Sequence, residues 1–212
     1  MRKLKLITTC ASLVLMVAFM AFGVYALQSV TMTVSGTVSY QCTNVAVKVT
    51  YGLVGGTTYG PFISQETDPI SWKDENGNAV TFTNGAFDGK LLPDVAFTEA
   101  NLTCTYFITV ESLHGMAIGL NFGYKWANTV GNAISASAKV YNGDVNSTQE
   151  STVEFNPTTG IATAYELGAK ATQTLKVTLT LDSTKLDNKA SGNFQMAMAS
   201  AVQLTDVPTI SF

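Results

Sequence analysis

The sequence predicts an all-β fold, an antiparallel β-sandwich of jelly-roll or Ig-like type, preceded by an N-terminal signal or transmembrane helix. Three observations predict it. Beyond residue 26 the apolar residues recur with a period of two nearly everywhere, the spacing of a half-buried strand. Tight-turn dipeptides punctuate those runs: Gly55-Gly56, Asn76-Gly77, Asn84-Gly85, Asp88-Gly89, Asn142-Gly143 and Asn156-Pro157. No run of a dozen residues carries the 3.6 period of a helix.

Residues 1–26 stand apart. Arg2, Lys3 and Lys5 form a basic head, and no charge follows from Leu6 to Leu27. A basic head, an apolar run and a small-residue exit make an export signal. Val24 and Ala26 occupy the −3 and −1 positions of a cleavage site that leaves Leu27 as the new N-terminus. The run is also long enough to span a bilayer as an uncleaved anchor, since a span needs about 20 apolar residues. Cleavage yields a secreted protein. Retention yields one held on the outer face of the cytoplasmic membrane, with residues 1–26 as its only membrane contact. The chain ends in Pro208–Phe212 without a second apolar span or sorting motif. Cys10 lies too early in the run, and behind the wrong residues, for lipidation.

The elements follow in order. Val30–Tyr40, Val45–Tyr51, Thr103–Val110, Ala117–Tyr124, Ala133–Tyr141, Thr174–Leu181 and Asn193–Val202 read as strands rich in β-branched and aromatic residues. Thr174–Leu181 is the clearest, with Leu175, Val177, Leu179 and Leu181 on one face and Thr174, Lys176, Thr178 and Thr180 on the other. Val80–Phe82 is a short run inside a hairpin, and Pro93–Ala100 reads as a turn or two of helix. No linker interrupts residues 27–212, so they form a single domain.

Charge narrows the function. The chain carries −3 and the first 26 residues +3, so residues 27–212 carry −6. An acidic domain argues against nucleic acid and anionic membrane surfaces as partners. Only 13% of residues are charged, and Thr, Ser, Asn and Gly supply the polar surface instead.

Motifs for chemistry are sparse. The single histidine, His114, has Ser112 near it only in sequence, which is not a triad. His114 and the cysteines lack zinc-ligand spacing. Asp74-Glu75-Asn76-Gly77-Asn78 gathers oxygens but lacks the distal Glu of a calcium loop, so an Asn-Gly turn is the simpler reading. Asp182, Asp187 and Asn188 form a weaker cluster of the same kind. No enzymatic activity, cofactor or metal is expected. Asn101 and Asn146 match the glycosylation sequon, but behind a bacterial-type export signal they read as surface Asn. Trp72 and Trp126, with Tyr59 and Tyr124, are the aromatics available to a glycan-binding surface, or equally to the core. Cys42 and Cys104 are permitted a disulfide by export. Strand alternation sets them on conflicting faces unless the chain breaks near Gln41–Asn44.

Gly23-Val24-Tyr25-Ala26 leading directly into a strand resembles the exit of signals cut by the SipW-type peptidase. Glu166-Leu167-Gly168-Ala169-Lys170 followed by a long alternating strand, and Ser191-Gly192-Asn193-Phe194-Gln195 followed by a closing strand, are similar to segments of the TasA and camelysin family of matrix fibre proteins. Leu92-Pro93-Asp94 echoes a family turn without its glycine. The resemblance implies a jelly-roll-like sandwich, a signal peptidase as processing partner, and self-association into biofilm-matrix fibres. In these an N-terminal strand freed by cleavage completes the sheet of the next subunit. Independently of the resemblance, Leu27–Val34 alternates, with Val30, Met32 and Val34 on one face, and no charge appears until Lys48. Edge strands usually carry charge or proline against unwanted pairing, and this one has neither. It suits addition to a neighbour's sheet, or pairing as the first strand of its own domain.

Overall fold

The computed structural model describes residues 32–43, 45–65, 68–80, 82–83, 86–87, 92–97, 101–128, 133–182, 184 and 192–212. Two sheets pack face to face as an all-β sandwich, as the period-two pattern predicts. The helix expected over residues 1–26 lies outside the described residues, as does Val30.

The strands are β1 (Met32–Thr43), β2 (Val47–Leu53), β3 (Thr58–Gln65), β4 (Asp68–Asp74), β5 (Ala79–Val80), β6 (Phe82–Thr83), β7 (Ala86–Phe87), β8 (Leu92–Phe97), β9 (Thr103–Ser112), β10 (Ile118–Asn128), β11 (Ile134–Asn142), β12 (Tyr165–Leu167), β13 (Thr172–Leu181) and β14 (Gly192–Ala201). One of these sheets has the order β12-β10-β14-β1-β8 and the other β11-β13-β9-β2-β3-β4-β5, while β6 and β7 form a separate two-stranded hairpin. The second is antiparallel throughout. The first contains one parallel pair, β1 with β14.

Alternation builds the core. Val47, Val49 and Tyr51 of β2, Tyr106, Ile108 and Val110 of β9, and Leu175, Val177, Leu179 and Leu181 of β13 face inward from the larger sheet. Leu120 and Phe122 of β10, Phe194, Met196 and Met198 of β14, and Val38 and Tyr40 of β1 meet them from the smaller one. Tyr106 stacks on Phe194 across the interface, ring centroids 5.2 Å apart. Its hydroxyl donates to the Pro93 carbonyl at 2.7 Å, tying β8 to the opposite sheet. Burial pushes the Tyr106 phenol well above its ordinary range.

Strand β14 reads differently because both of its faces are covered. Ala197 and Ala199 point away from the main core, and the C-terminal tail lays Ile210 on them, with Ile161, Val207 and Phe212 alongside. The floor beneath that tail is built from small residues. A Cβ at Gly119 of β10 would stand 2.4 Å from Val207 Cγ2. Short side chains in MAMASA are what allow the chain end to dock.

One expectation is corrected. Pro93–Ala100 does not begin a helix: Leu92–Phe97 is a strand, with Leu92, Val95 and Phe97 buried and Pro93 tolerated because β8 is an edge strand. The hairpin expected around Val80–Phe82 is present: Val80 pairs with Trp72 of β4 and Phe82 with Phe87 of β7, while Thr81 lies outside the described residues. Asn76-Gly77 closes the β4–β5 hairpin, in which Trp72 pairs with Val80. β3 and β4 carry interspersed polar residues and a proline each, which hides their alternation in the sequence.

Candidate functional site

Of the segment singled out for strand addition, the described residues Met32–Val34 lie in β1 of the smaller sheet. Met32 and Val34 pair antiparallel with Phe97 and Val95 of β8, and a bulge between Val34 and Gly36 shifts the register. From Val34 to Thr43 the other edge of β1 pairs in parallel with Gly192 to Ala201 of β14. The strand therefore sits in a slot whose two walls, β14 and β8, are each bonded to it. Val38 and Tyr40 fill the interior side of the slot, and Tyr40 meets Tyr51 and Trp72 at ring-centroid distances of 5.9 and 5.7 Å. The connection after β1 is pinned by Ser64 of β3. Its buried hydroxyl donates to the Val45 carbonyl at 2.7 Å and accepts the Val47 amide N–H at 2.9 Å.

The aromatics proposed for ligand contact do not share a surface. Trp72 is only 3% exposed and packs in the main core against Tyr40. Trp126 lies on the other sheet and also packs against that core. Its ring covers Gly192 so closely that a Cβ there would lie 1.9 Å from Cη2. Tyr124 and Tyr59 are partly buried against the same core. Trp72 is a core residue, and the other three pack against that core while each keeps part of its surface exposed. Their spacing in sequence carries no sign of which face each occupies, because that is set by sheet register.

The Cys42–Cys104 disulfide is not formed: Cys104 is a free, buried thiol. The reason is position along the strands. Val47, five residues after Cys42, pairs with Ser112. Cys104 lies eight residues up β9 from Ser112, about 26 Å at the rise of a strand. Five residues span at most about 18 Å. The two Cα atoms thus stay at least about 8 Å apart, beyond the roughly 7 Å reach of a disulfide. Burial holds the Cys104 thiol up at about 12, keeping it protonated and inert.

His114 lies in the connection between β9 and β10, where its carbonyl accepts the Lys170 amide at 3.2 Å. The Asp74–Asn78 run is a hairpin turn that satisfies itself. Asp74 Oδ1 accepts the amides of Asn76 and Asn78, and Oδ2 accepts the Asn78 side-chain amide at 2.9 Å. Those bonds, the Asn78 side chain first, hold the Asp74 carboxyl below its ordinary value. Asp182 accepts two bonds from Thr184, while Asp187 and Asn188 lie outside the described residues. No group of three or more His, Cys, Asp or Glu gathers for a metal among the described residues. None of their helices is long and apolar enough to cross a membrane. The cleavage residues Val24, Ala26 and Leu27 lie outside them too.

Sequence reasoning missed a groove on the solvent face of the larger sheet, lined by Lys139, Lys176, Tyr141 and three hydroxyls. Alternation places Lys176 on that face, but only the β11–β13 register brings Lys139 beside it.

No protein-family model matches the chain, and no curated protein matches it. Among solved structures, the yeast delta-COP-I mu-homology domain is similar at 8% identity over 82% of this chain and 96% of that one, with a TM-score of 0.21. A GH31 alpha-xylosidase from Xanthomonas citri is similar at 13% identity over 60% of this chain and 17% of that one, also with a TM-score of 0.21. Likenesses at that level carry no statement about this chain.

Proposed function

We propose that this is an exported structural protein of the bacterial cell surface or extracellular matrix, a fibre subunit of TasA-like kind that acts by assembly and not by turnover. Copies join by exchanging β1. The observation that carries the reading is the place of β1, the first described strand, between β14 and β8, neither of which is bonded to the other. Withdrawal of β1 leaves a slot that the identical β1 of a second copy fills in the same register, with no new contact to evolve. Such exchange is a low-cost route to oligomers, and when head-to-tail it propagates as a filament. Two further features support it. β1 carries no charge or proline, the usual protection against pairing between chains. The export signal of residues 1–26, joined directly to this segment, makes the cut after Ala26 the event that frees it.

Electron microscopy of residues 27–212, beside a version lacking Leu27–Ser35, tests the reading. Fibres or higher oligomers are expected from the first and not the second. If neither assembles under any condition tried, assembly is excluded.

A further inference from the structure

On the solvent face of the larger sheet, Lys139 of β11 and Lys176 of β13 stand in direct cross-strand register. Like charges placed so are destabilising unless something compensates them. Lys139 has its compensation, an ion pair with Glu150 at 2.9 Å. Lys176 does not. Its ammonium donates to the Ser147 carbonyl at 2.9 Å and lies 4.3 Å from the centre of the Tyr141 ring. Both partners are neutral, and no carboxylate lies within ion-pair distance of it among the described residues. An ammonium has three donors, so this one keeps a donor and a full charge in hand while half-buried.

That charge opens on a groove of about 450 Å³ lined by Val54, Thr105, Ser137, Lys139, Tyr141, Lys176 and Thr178. The hydroxyls come in a row. Thr105 and Thr178 are paired across β9 and β13 and share a hydrogen bond of 3.0 Å, and Ser137 is the next register partner on β11. Val54 and Tyr141 give the groove its apolar sides. Val54 is held over β9 by its backbone N–H, which donates to the Thr105 carbonyl at 2.9 Å, and also borders a second groove of about 340 Å³ reaching Thr50 and Lys48. The loop supplying Ser147 is fixed as well: its hydroxyl donates to the Asn142 carbonyl, and Gly143 donates its amide to Thr172 at 2.8 Å.

We propose that this groove binds an acidic carbohydrate, the anionic group seated between Lys176 and Lys139 and the sugar hydroxyls on Thr105, Ser137 and Thr178. Lysine is a compact point charge without the planar fork of arginine, suited to an anion approached from one side. A row of hydroxyls with apolar flanks matches a ring that is polar at its edge and apolar on its face. The anion is the carboxylate of a uronic acid or a sulfate ester. Residues 27–212 carry −6, so a polyanion is repelled by the domain as a whole and its binding there must be local. The inference stands whether or not subunits exchange strands.

The test measures binding of the full chain in detergent to immobilised polygalacturonate, dextran sulfate and neutral dextran. Lys176→Gln and Lys139→Gln are compared with Lys125→Gln, an exposed lysine of β10 on the other sheet. Retention on one acidic polymer and not on neutral dextran is expected, falling about tenfold in each groove variant and unchanged in the control. Preference for polygalacturonate assigns a uronate and preference for dextran sulfate a sulfate ester. Equal binding to neutral dextran, no binding to either acidic polymer, or binding indifferent to Lys176 overturns the proposal. Unfolding temperatures of the variants check that the sandwich is intact.

Discussion

Val38, in the first described strand, lies in parallel register with Met196, in the last described strand, and both side chains are buried between the sheets. One pairing thus joins strands far apart in the sequence and fills the space between the sheets. It follows that Met196→Ala, which opens a cavity against β1, costs about 2–5 kcal/mol. Val38→Asp, which buries an unpaired charge, leaves little folded protein. Urea denaturation of the two variants checks both, and a cost under about 1 kcal/mol for Met196→Ala contradicts the packing described.

Among the described glycines of the smaller sheet, Gly192 is the most closely covered, by the Trp126 ring. With Cη2 placed 1.9 Å from any added Cβ, Gly192→Ala must push the indole off the core. Destabilisation of about 1–3 kcal/mol is expected, the usual cost of overpacking. Trp126→Leu combined with Gly192→Ala recovers most of it, because the two residues share one space. Thermal unfolding of the single and double variants measures the coupling.

Ser64 holds the entry to β2 with two buried hydrogen bonds. Ser64→Ala leaves the Val47 amide and the Val45 carbonyl without that partner and costs about 1–3 kcal/mol. Hydrogen exchange at Val47 rises with it. Unchanged protection there contradicts the assignment.

Cys104 links stability to alkali. Its folded-state value is raised from 9.0 to about 12 by burial, so the folded protein holds the thiol proton more tightly than the unfolded chain. The stabilising contribution is complete below pH 9.0 and is lost as pH rises through about 12. Burial raises Tyr106 and Tyr165 in the same direction. Stability to urea should fall across that window, less steeply in Cys104→Val, and iodoacetamide should label Cys104 only after unfolding. Ready labelling of the native protein contradicts the burial.

The strands legible in the sequence are those with one wet face. Leu175–Leu181 alternates Leu or Val with Lys or Thr because only one side meets the core, and over that span the pattern predicts burial residue by residue, whereas Thr174, on the polar face, is buried. β14 is less legible as a sandwich strand because Ala197 and Ala199 are buried on the face that should be polar, under a tail whose docking no local pattern announces. β8 was obscured by Pro93, which mimics a helix start but occupies an edge. The candidate site was legible in part. The uncharged alternation after Ser29 marked the segment, but its parallel pairing with β14 joins residues at opposite ends of the chain and leaves no local trace. The same limit hid the Lys139–Lys176 pair, and it misplaced Trp72, whose burial depends on Tyr40 arriving from the other sheet.

Strand exchange itself is tested most directly by a cross-link that only an exchanged strand can make. Thr37 and Gln195 are register partners, both half-buried. In parallel strands their Cα separation suits a disulfide. One batch of residues 27–212 carries Thr37→Cys and another Gln195→Cys, both with Cys42→Ser and Cys104→Ala, and the two are mixed under assembly conditions and oxidised. The account predicts a covalent heterodimer that reductant reverses, absent when either batch is oxidised alone. Fibres that form without that cross-link, or a mixture that stays monomeric, would contradict it.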